Sequence, residues 1–182
     1  MMTIFRKRFW LAFGAMAVGA LMATEAQAFL SCVPYARMRA GVEVPGNAHL
    51  WWNNARGQYE RGAKPANDAV LVFKASGKMR RGHVSVVATV IDSRSILVDH
   101  ANWGGPGLRK GTIQEKVLVT DISAGNDWSE VRVWNESIQD FGSKTYPTYG
   151  FIYLPGQTPR VMQAGAQGAS TNRFMNRDVA MP

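Results

Sequence analysis

The first helical pattern in the chain lies at residues 32–40. Ser31 is a favoured helix N-cap, Pro34 falls in the first turn where proline is tolerated, and Gly41 follows as a helix terminator. These signals predict a short helix from Cys32 to Ala40. Because the N-terminal end of a helix carries partial positive charge, the side chain of Cys32 would lie at the positive end of this helix.

A second helical pattern runs from Asn47, as the N-cap, to Gly57. Apolar residues recur at the i, i+3, i+4 and i+7 spacing of one helix face, and they are Ala48, Trp51, Trp52 and Ala55. We expect the two tryptophans to lie in the core. His49 falls off this face and is expected at the surface, outside any catalytic site.

From residue 69 onward the pattern changes to short apolar or alternating runs that are typical of strands. The predicted strands are 69–73, 83–91, 94–102, 117–120, 130–134 and 151–154. Two helices followed by a mostly antiparallel sheet indicate an α+β fold. The segment 156–182 is polar and aperiodic, which predicts a disordered tail.

A leader pattern precedes the helices. Arg6, Lys7 and Arg8 are followed by an apolar run over 9–23 and by small residues ending at Ala28, an order typical of a secretory signal peptide cleaved after Ala28. An uncleaved anchor needs about 20 apolar residues, and this run is shorter, so we expect no stable membrane anchor after cleavage. The sequence therefore predicts a secreted or periplasmic protein with a signal peptide at 1–28 and one domain at 29–155.

The chain is basic, with a formal net charge of +8. Removal of the leader, which holds three basic residues and one acidic residue, would leave a net charge of +6. A basic exported protein is attracted to anionic polymers, which in a bacterial envelope include the cell wall. The basic residues are scattered and no nucleic-acid motif is present, so nucleic acid is not an expected partner. The pattern gives no indication of an oligomeric state.

Cys32 is the only cysteine in the sequence. Exported proteins usually hold cysteines in disulfide pairs, and a lone thiol cannot form an internal disulfide. It could be a lipidation site, a buried small apolar residue or a nucleophile. Glu25 and Gln27 separate the apolar run from the cysteine, which disfavours lipidation.

The predicted hairpin over 83–102 can bring polar side chains to one face. If Asp92-Ser93 forms a two-residue loop, Asn102 lies opposite His83, and His100 is the diagonal neighbour about 7 to 8 Å away on the same face. A four-residue loop keeps this register, whereas a three-residue loop could bring Asp99 to the face of His83. The orienting partner of His83 is therefore His100 or Asn102 in the first case and Asp99 in the second.

Cys32, His83 and such a partner would supply the parts of a thiol catalytic site. A helix N-terminus and a neighbouring imidazole both stabilise a thiolate, and Asn, Asp or a second His can fix the tautomer of the base. The first backbone amides of the helix could stabilise an oxyanion. A structural role for His83 is one alternative. A zinc site of Cys32, His83 and His100 is another, although the close-spaced ligand pairs usual in zinc sites are missing.

Five segments, in the same order, resemble the CHAP domain, the family of cysteine, histidine-dependent amidohydrolases and peptidases. They are SCVPYAR at 31–37, GNAHLWW at 46–52, AVLVF at 69–73, GHVSVV at 82–87 and VDHANW at 98–103. Segments 126–128 and 146–150 are similar to later parts of exported proteobacterial members.

The resemblance implies a papain-like α+β fold, with N-terminal helices packed on a mostly antiparallel β-sheet. It implies Cys32 as nucleophile and His83 as base in an acyl transfer that needs no metal or other cofactor. His100 and Asn102 stand where many members have Glu and Asn, and the related NlpC/P60 peptidases commonly use a second histidine in an equivalent role. Ser31 stands where many members have Gln, which leaves a side-chain oxyanion donor unassigned.

The function implied by the resemblance is hydrolysis of peptidoglycan, the expected partner. The bond would be the N-acetylmuramoyl-L-alanine amide or a stem or cross-bridge peptide bond. Trp103 and Trp128, both predicted in loops, are candidate substrate-binding residues. The same thiol and imidazole would fit an acyltransferase or transglutaminase-like enzyme, and a catalytically silent envelope-binding protein would keep the same fold. Both stay open as alternatives.

Overall fold

The structure is a computed structural model that describes residues 29–157, except residue 106. The predicted signal peptide at 1–28 lies outside the described residues, as does the predicted tail from residue 158 onward. No helix in the described part of the chain is long and apolar enough to cross a membrane.

The predicted first helix is confirmed with the predicted bounds: α1 runs from Cys32 to Ala40. Ser31 is the N-cap residue, in an extended backbone conformation, although its side chain makes no capping hydrogen bond. Gly41 ends the helix with a φ of 69°, and its N–H donates to the carbonyl of Arg37 at 2.8 Å. A left-handed residue at this position is what glycine supplies without steric cost.

The second helix is shorter than predicted. A 3₁₀ turn, Ala48–Leu50, leads into α2, Trp51–Asn54, and the chain then turns away before Gly57, which has a φ of 82°. Asn53 and Asn54 have low helix propensity, and their side chains compete for backbone hydrogen bonds. Trp51 is fully buried as predicted, whereas Trp52 is only half-buried.

Within the described residues, eight strands form one antiparallel sheet. They are β1 (Glu60–Gly62), β2 (Val70–Phe73), β3 (His83–Val90), β4 (Ser95–Ala101), β5 (Ile113–Asp121), β6 (Glu130–Asn135), β7 (Asp140–Phe141) and β8 (Tyr146–Tyr153). The order in the sheet is β1-β8-β2-β3-β4-β5-β6-β7, and β6 also pairs with β8. That extra pairing closes strands β8, β2, β3, β4, β5 and β6 into a barrel. The predicted α+β class with a mostly antiparallel sheet is therefore confirmed, with few helices and a sheet that closes.

Two buried clusters lie on the two faces of the sheet. The first fills the barrel with side chains from β2 to β6 and β8, including Leu71, Val98 and Phe151. The second joins α1 and α2 to the opposite face of β2 and β3, where Ala36 and Trp51 share a cluster with Val84 and others. Because side chains alternate between faces along a strand, Val84 and Val86 belong to the second cluster, and His83 lies on the other face of β3.

The β3–β4 hairpin differs from its predicted form at the loop but keeps the predicted register. The N–H of Ile91 donates to the carbonyl of Ser95 at 3.0 Å, so three residues lie in the loop rather than two. A bulge at Ala88 then adds one residue to β3, and beyond it Val86 lies opposite Asp99, as in the two-residue prediction. The bulge cancels the effect of the longer loop, so His100 stays on the face of His83.

Candidate active site

Cys32 is the first residue of α1 and is half-buried. The backbone N–H groups of Val84, Val33 and Cys32 itself face the thiol and act to lower its pKa, but burial acts more strongly in the opposite direction. The net effect raises the pKa of Cys32 above its ordinary value. The helix N-terminus was expected to favour a thiolate; the sulfur instead rests as a neutral thiol, because desolvation outweighs the amides.

His83, the first residue of β3, pairs with His100 of β4. Nε2 of His83 and Nδ1 of His100 are 3.2 Å apart, a hydrogen-bonding distance. The two side chains are 3% and 1% exposed, and their ring centroids lie 5.1 Å apart in an edge-on arrangement. The structure thus brings together His83 and His100, the two histidines that the predicted hairpin register places on one face.

Burial keeps both imidazoles neutral. It lowers the pKa of His83 well below its ordinary value, and the neighbouring His100 lowers it further. Burial lowers the pKa of His100 to about 4, against smaller raising effects of Asp99 and the Gln114 side chain. At neutral pH the site therefore holds an uncharged thiol and two uncharged imidazoles.

The start of β3 connects Cys32 to His83. Val84 follows His83 directly in the chain, and its backbone N–H is one of the groups that face the sulfur. Within residues 29–105 and 107–157, no hydrogen bond joins the thiol to the His83 ring, so proton transfer between them requires a closer approach. Catalytic hydrogen bonds commonly tighten only when substrate is bound.

An aromatic wall made of Phe73, Trp103 and Tyr146 encloses the histidine pair. The Trp103 ring centroid lies 4.8 Å from that of His83 and 5.2 Å from that of His100, nearly parallel to the latter. Phe73 lies 5.7 Å from His83, and Tyr146 lies 4.9 Å from Trp103. Trp103 is half-buried, so it contacts the histidines with part of its surface and exposes the rest.

No hydrogen bond joins Asp99 or Asn102 to His83 in the described part of the chain. The Asp99 carboxylate accepts a hydrogen bond from Nε of Arg39 at 3.0 Å and another from the N–H of Lys116 at 2.9 Å. It therefore ties α1 to β4 on the opposite face of the strand, which corrects its expected alternative role. Asn102 has a φ of 60°, and its Oδ1 accepts from the N–H of Gly111 at 3.0 Å, which anchors the loop after β4.

Trp128 is a core residue, which corrects its expected role in substrate binding. Its side chain is 1% exposed, packs against Phe151 at a centroid distance of 5.3 Å, and donates from Nε1 to the carbonyl of Ser93 at 3.2 Å. A side chain with so little exposed surface cannot contact a bound polymer.

His49 also differs from its expected surface position. Its side chain is half-buried, its Nδ1 is enclosed without a hydrogen bond in the described structure, and its N–H donates to the carbonyl of Arg81 at 3.0 Å. The same described residues contain no group of three or more His, Cys, Asp or Glu side chains that could hold a metal ion. The alternative zinc site therefore has no ligand set there.

Four residues at the site were not among the predicted site residues: Phe73, Val84, Gln114 and Tyr146. Phe73 lies directly opposite His83 in the β2–β3 register, and Gln114 lies opposite His100 in the β4–β5 register. The first pairing could have been found by extending the hairpin argument to β2. Tyr146 begins β8, more than 40 residues after His100 in the chain, and no local signal connects it to the site.

Comparison with known proteins finds a family model that matches the segment containing Cys32 and both histidines. The model of the CHAP domain matches residues 23–102. A search of curated proteins finds no match. Among solved structures, a similar one is the 2.15 Å crystal structure of N-acetylmuramoyl-L-alanine amidase from Staphylococcus aureus, with 23% identity and a TM-score of 0.40 over 66% of this chain and 30% of that chain. This chain thus spans less than a third of that structure's chain. The match covers less than half of the chain, and the matched segment, which contains Cys32, His83 and His100, is similar to the CHAP domain.

Proposed function

We propose that this protein is an exported peptidoglycan hydrolase that cleaves an amide bond by a cysteine–histidine mechanism, in a papain-like arrangement. The family match supports this function at the level of the family. The observation that carries the proposal is the buried His83–His100 pair, at 3.2 Å, directly beside the residue whose backbone faces the Cys32 thiol. A thiol at a helix start with an oriented imidazole nearby is the arrangement that nucleophilic acyl transfer requires.

The neutral resting state makes His83 a general base. With Nε2 occupied by His100, Nδ1 of His83 is the nitrogen that takes the thiol proton while the sulfur of Cys32 bonds to the carbonyl carbon. The backbone N–H groups of Cys32 and Val33, which face the thiol at the start of α1, are the proposed donors for the oxyanion. When the C–N bond breaks, His83 gives the proton to the leaving amine. Water then attacks the thioester, with one proton returning to the sulfur through His83.

Two features of the proposal concern the substrate and its location. The bond is the N-acetylmuramoyl-L-alanine amide or a peptide bond of a stem or cross-bridge. The leader pattern supports export to the periplasm or the medium, with peptidoglycan as the polymer met there. The exposed part of Trp103 is the candidate contact for substrate, next to both histidines.

The test is mass spectrometry of purified peptidoglycan treated with the mature protein, with Cys32→Ala, with His83→Gln and with a chelator present. We expect free stem peptides or severed cross-links from the wild type, no products from Cys32→Ala, and a rate lower by about 10²- to 10⁴-fold in His83→Gln. His49→Gln, a change of the histidine outside the pair, is the matched control and should keep the wild-type rate. The chelator should have no effect.

The other outcomes distinguish the alternatives. Products in which a stem peptide is joined to an added amine, rather than to water, would identify an acyltransferase. A folded wild-type protein that yields no products would contradict the proposal and favour a silent binding domain. Hydrolysis that persists in Cys32→Ala or disappears with chelator would contradict the thiol mechanism.

A further inference from the structure

The outer nitrogen of the His100 ring lacks a partner. Nε2 of His100 is buried and makes no hydrogen bond of normal geometry in the described part of the chain. A buried polar group left without a partner costs about 1 to 3 kcal/mol relative to a satisfied one. A ring that is 1% exposed and enclosed by Trp103 cannot reach bulk water to satisfy it.

Gln114 is the polar side chain placed to fill this gap. It lies directly opposite His100 in the β4–β5 register, where Cβ atoms of opposed residues are about 4.5 to 5.5 Å apart. Its side chain interacts with His100 closely enough to raise the pKa of that imidazole. It is half-buried, at the wall of a cleft of about 260 Å³ that Trp134 and Glu136 also line. A small rotation of the amide therefore brings an acceptor to Nε2.

The tautomers of the two histidines decide whether His83 can act as a base. A neutral imidazole carries one proton, so one nitrogen donates and the other accepts. If Nε2 of His83 donates to Nδ1 of His100, Nδ1 of His83 is free to accept the thiol proton, and His100 must carry its own proton on Nε2. In the reverse arrangement Nδ1 of His83 already holds a proton and cannot accept another.

We infer that Gln114 is a positioning residue: its Oε1 accepts the Nε2 proton of His100 and so fixes both histidines in the tautomers that leave Nδ1 of His83 free. This inference rests on the proposed function, in which His83 is the base. The relay then runs from the Cys32 thiol through His83 and His100 to the amide of Gln114. An amide oxygen serves this purpose at any pH, because it stays an acceptor and does not titrate.

The test is long-range ¹⁵N–¹H correlation NMR of the histidine rings in the mature protein at neutral pH. We expect both His83 and His100 to be protonated on Nε2 in the wild type. Gln114→Met, which keeps the length of the side chain but has no acceptor, should move the His100 proton to Nδ1 and the His83 proton with it. Gln114→Glu keeps an acceptor oxygen and should keep the wild-type tautomers. Thr120→Val, in the same strand, is the control and should also keep them.

Kinetics on peptidoglycan give a second readout. Gln114→Met should lower kcat by about tenfold, the effect of losing one hydrogen bond to a buried group, with KM unchanged and with recovery in Gln114→Glu. His100 protonated on Nδ1 in the wild type, or tautomers unchanged in Gln114→Met, would overturn the inference. The ring tautomers are measured without substrate, so this result stands apart from whether peptidoglycan is cleaved. If Gln114→Met does not fold, Gln114→Leu, which also lacks an acceptor, takes its place in both measurements.

Discussion

Burial sets the protonation of every titratable side chain proposed to carry the chemistry. It raises the pKa of Cys32 and lowers the pKa values of His83 and His100. These shifts all favour the neutral form, because the free energy of removing a charge from water exceeds the stabilisation that the few nearby dipoles supply. The three side chains therefore rest uncharged at neutral pH, without a thiolate–imidazolium ion pair. In the proposed mechanism, charge develops only as substrate reacts.

The His100 pKa predicts that the fold weakens in mild acid. The imidazole has a pKa of about 4 in the folded protein and 6.5 as its ordinary value, so below pH 6.5 the unfolded chain binds a proton that the folded chain does not. Stability is therefore complete above pH 6.5 and falls as the pH drops toward about 4, by about 3 kcal/mol from this group. Urea unfolding at a series of pH values from 7.5 to about 4 measures the loss.

The matched variant for this prediction is His100→Gln, which cannot titrate in this range. Its stability should fall less steeply between pH 6.5 and about 4 than that of the wild type, with the remaining slope coming in part from His83, whose pKa is also lowered. Equal slopes in the two proteins would show that His100 does not bind its proton preferentially in the unfolded chain.

At this scale the sequence predicts some residues of the site and misses others for definable reasons. His83 and His100 could be paired because the hairpin that carries them is local and side chains alternate along it. Gln114 could not be found, because it lies 12 positions beyond the end of the predicted second hairpin strand at residue 102. The β4–β5 register cannot be read from the connection between them. Trp128 was misplaced because a loop position does not by itself show whether a side chain points inward.

Among the elements, the connection from β2 to β3 controls the position of His83. Gly82 precedes His83 with a φ of 64°, and a Cβ there would lie 2.7 Å from the carbonyl oxygen of Phe73 and 2.9 Å from the backbone nitrogen of His49. Both atoms belong to backbone, which cannot move aside as a flexible side chain can. Gly82 therefore lets three segments of chain approach one another at the entrance to the site.

We predict that Gly82→Ala destabilises the protein more than Gly77→Ala. Gly77 lies in the same connection with a φ of 50°, and a Cβ there meets nothing within 4 Å. Both variants carry the cost of a left-handed alanine, about 1 to 2 kcal/mol, but only Gly82→Ala adds a backbone clash. Urea unfolding compares the two, and hydrolysis of peptidoglycan should fall only in Gly82→Ala. Equal unfolding free energies in both variants would refute the argument.

How far the elements could be predicted depends on their length and on their end signals. The bounds of α1 were predicted because Ser31 and Gly41 mark both ends. β1 and β7, of three and two residues, are too short to give a period. The bulge at Ala88 has no residue signal, since alanine is common inside strands and helices alike. The predicted loop is one residue too short, and the predicted strand lacks the bulge. These two errors cancel, so His100 was placed on the correct face.

On the scale of the whole molecule, the barrel depends on contacts that no local pattern reveals. β8 pairs with β1, β2 and β6, so the last strand closes the sheet and brings Tyr146 to the aromatic wall of the site. The family resemblance implied a sheet with helices against it; the closure itself follows from the β6–β8 pairs, Glu130 with Pro147 and Val131 with Tyr146. The strand β7 lies in the connection between these paired residues, so their register cannot be derived from turn chemistry.

Some of the positive charge of the molecule lies directly beside the site. The β2–β3 connection, residues 74–82, contains four basic residues and no acidic one, and it ends directly before His83. Lys78, Arg80 and Arg81 are exposed, and none of them forms an ion pair with a carboxylate in the described structure. An anionic wall polymer that approaches the His83 side of the barrel would therefore meet unpaired positive charge first.

This distribution predicts that hydrolysis of peptidoglycan depends on salt. Raising ionic strength from about 0.01 M to 1 M shortens the Debye length from about 30 Å to about 3 Å, so the initial rate on wall sacculi should fall by about tenfold. Arg80→Gln/Arg81→Gln should be slower at low salt and less sensitive to added salt. Arg56→Gln/Lys144→Gln removes the same charge from exposed sites outside the connection and should keep the wild-type salt response. If the two double variants lose rate equally, total charge rather than its position beside His83 attracts the polymer.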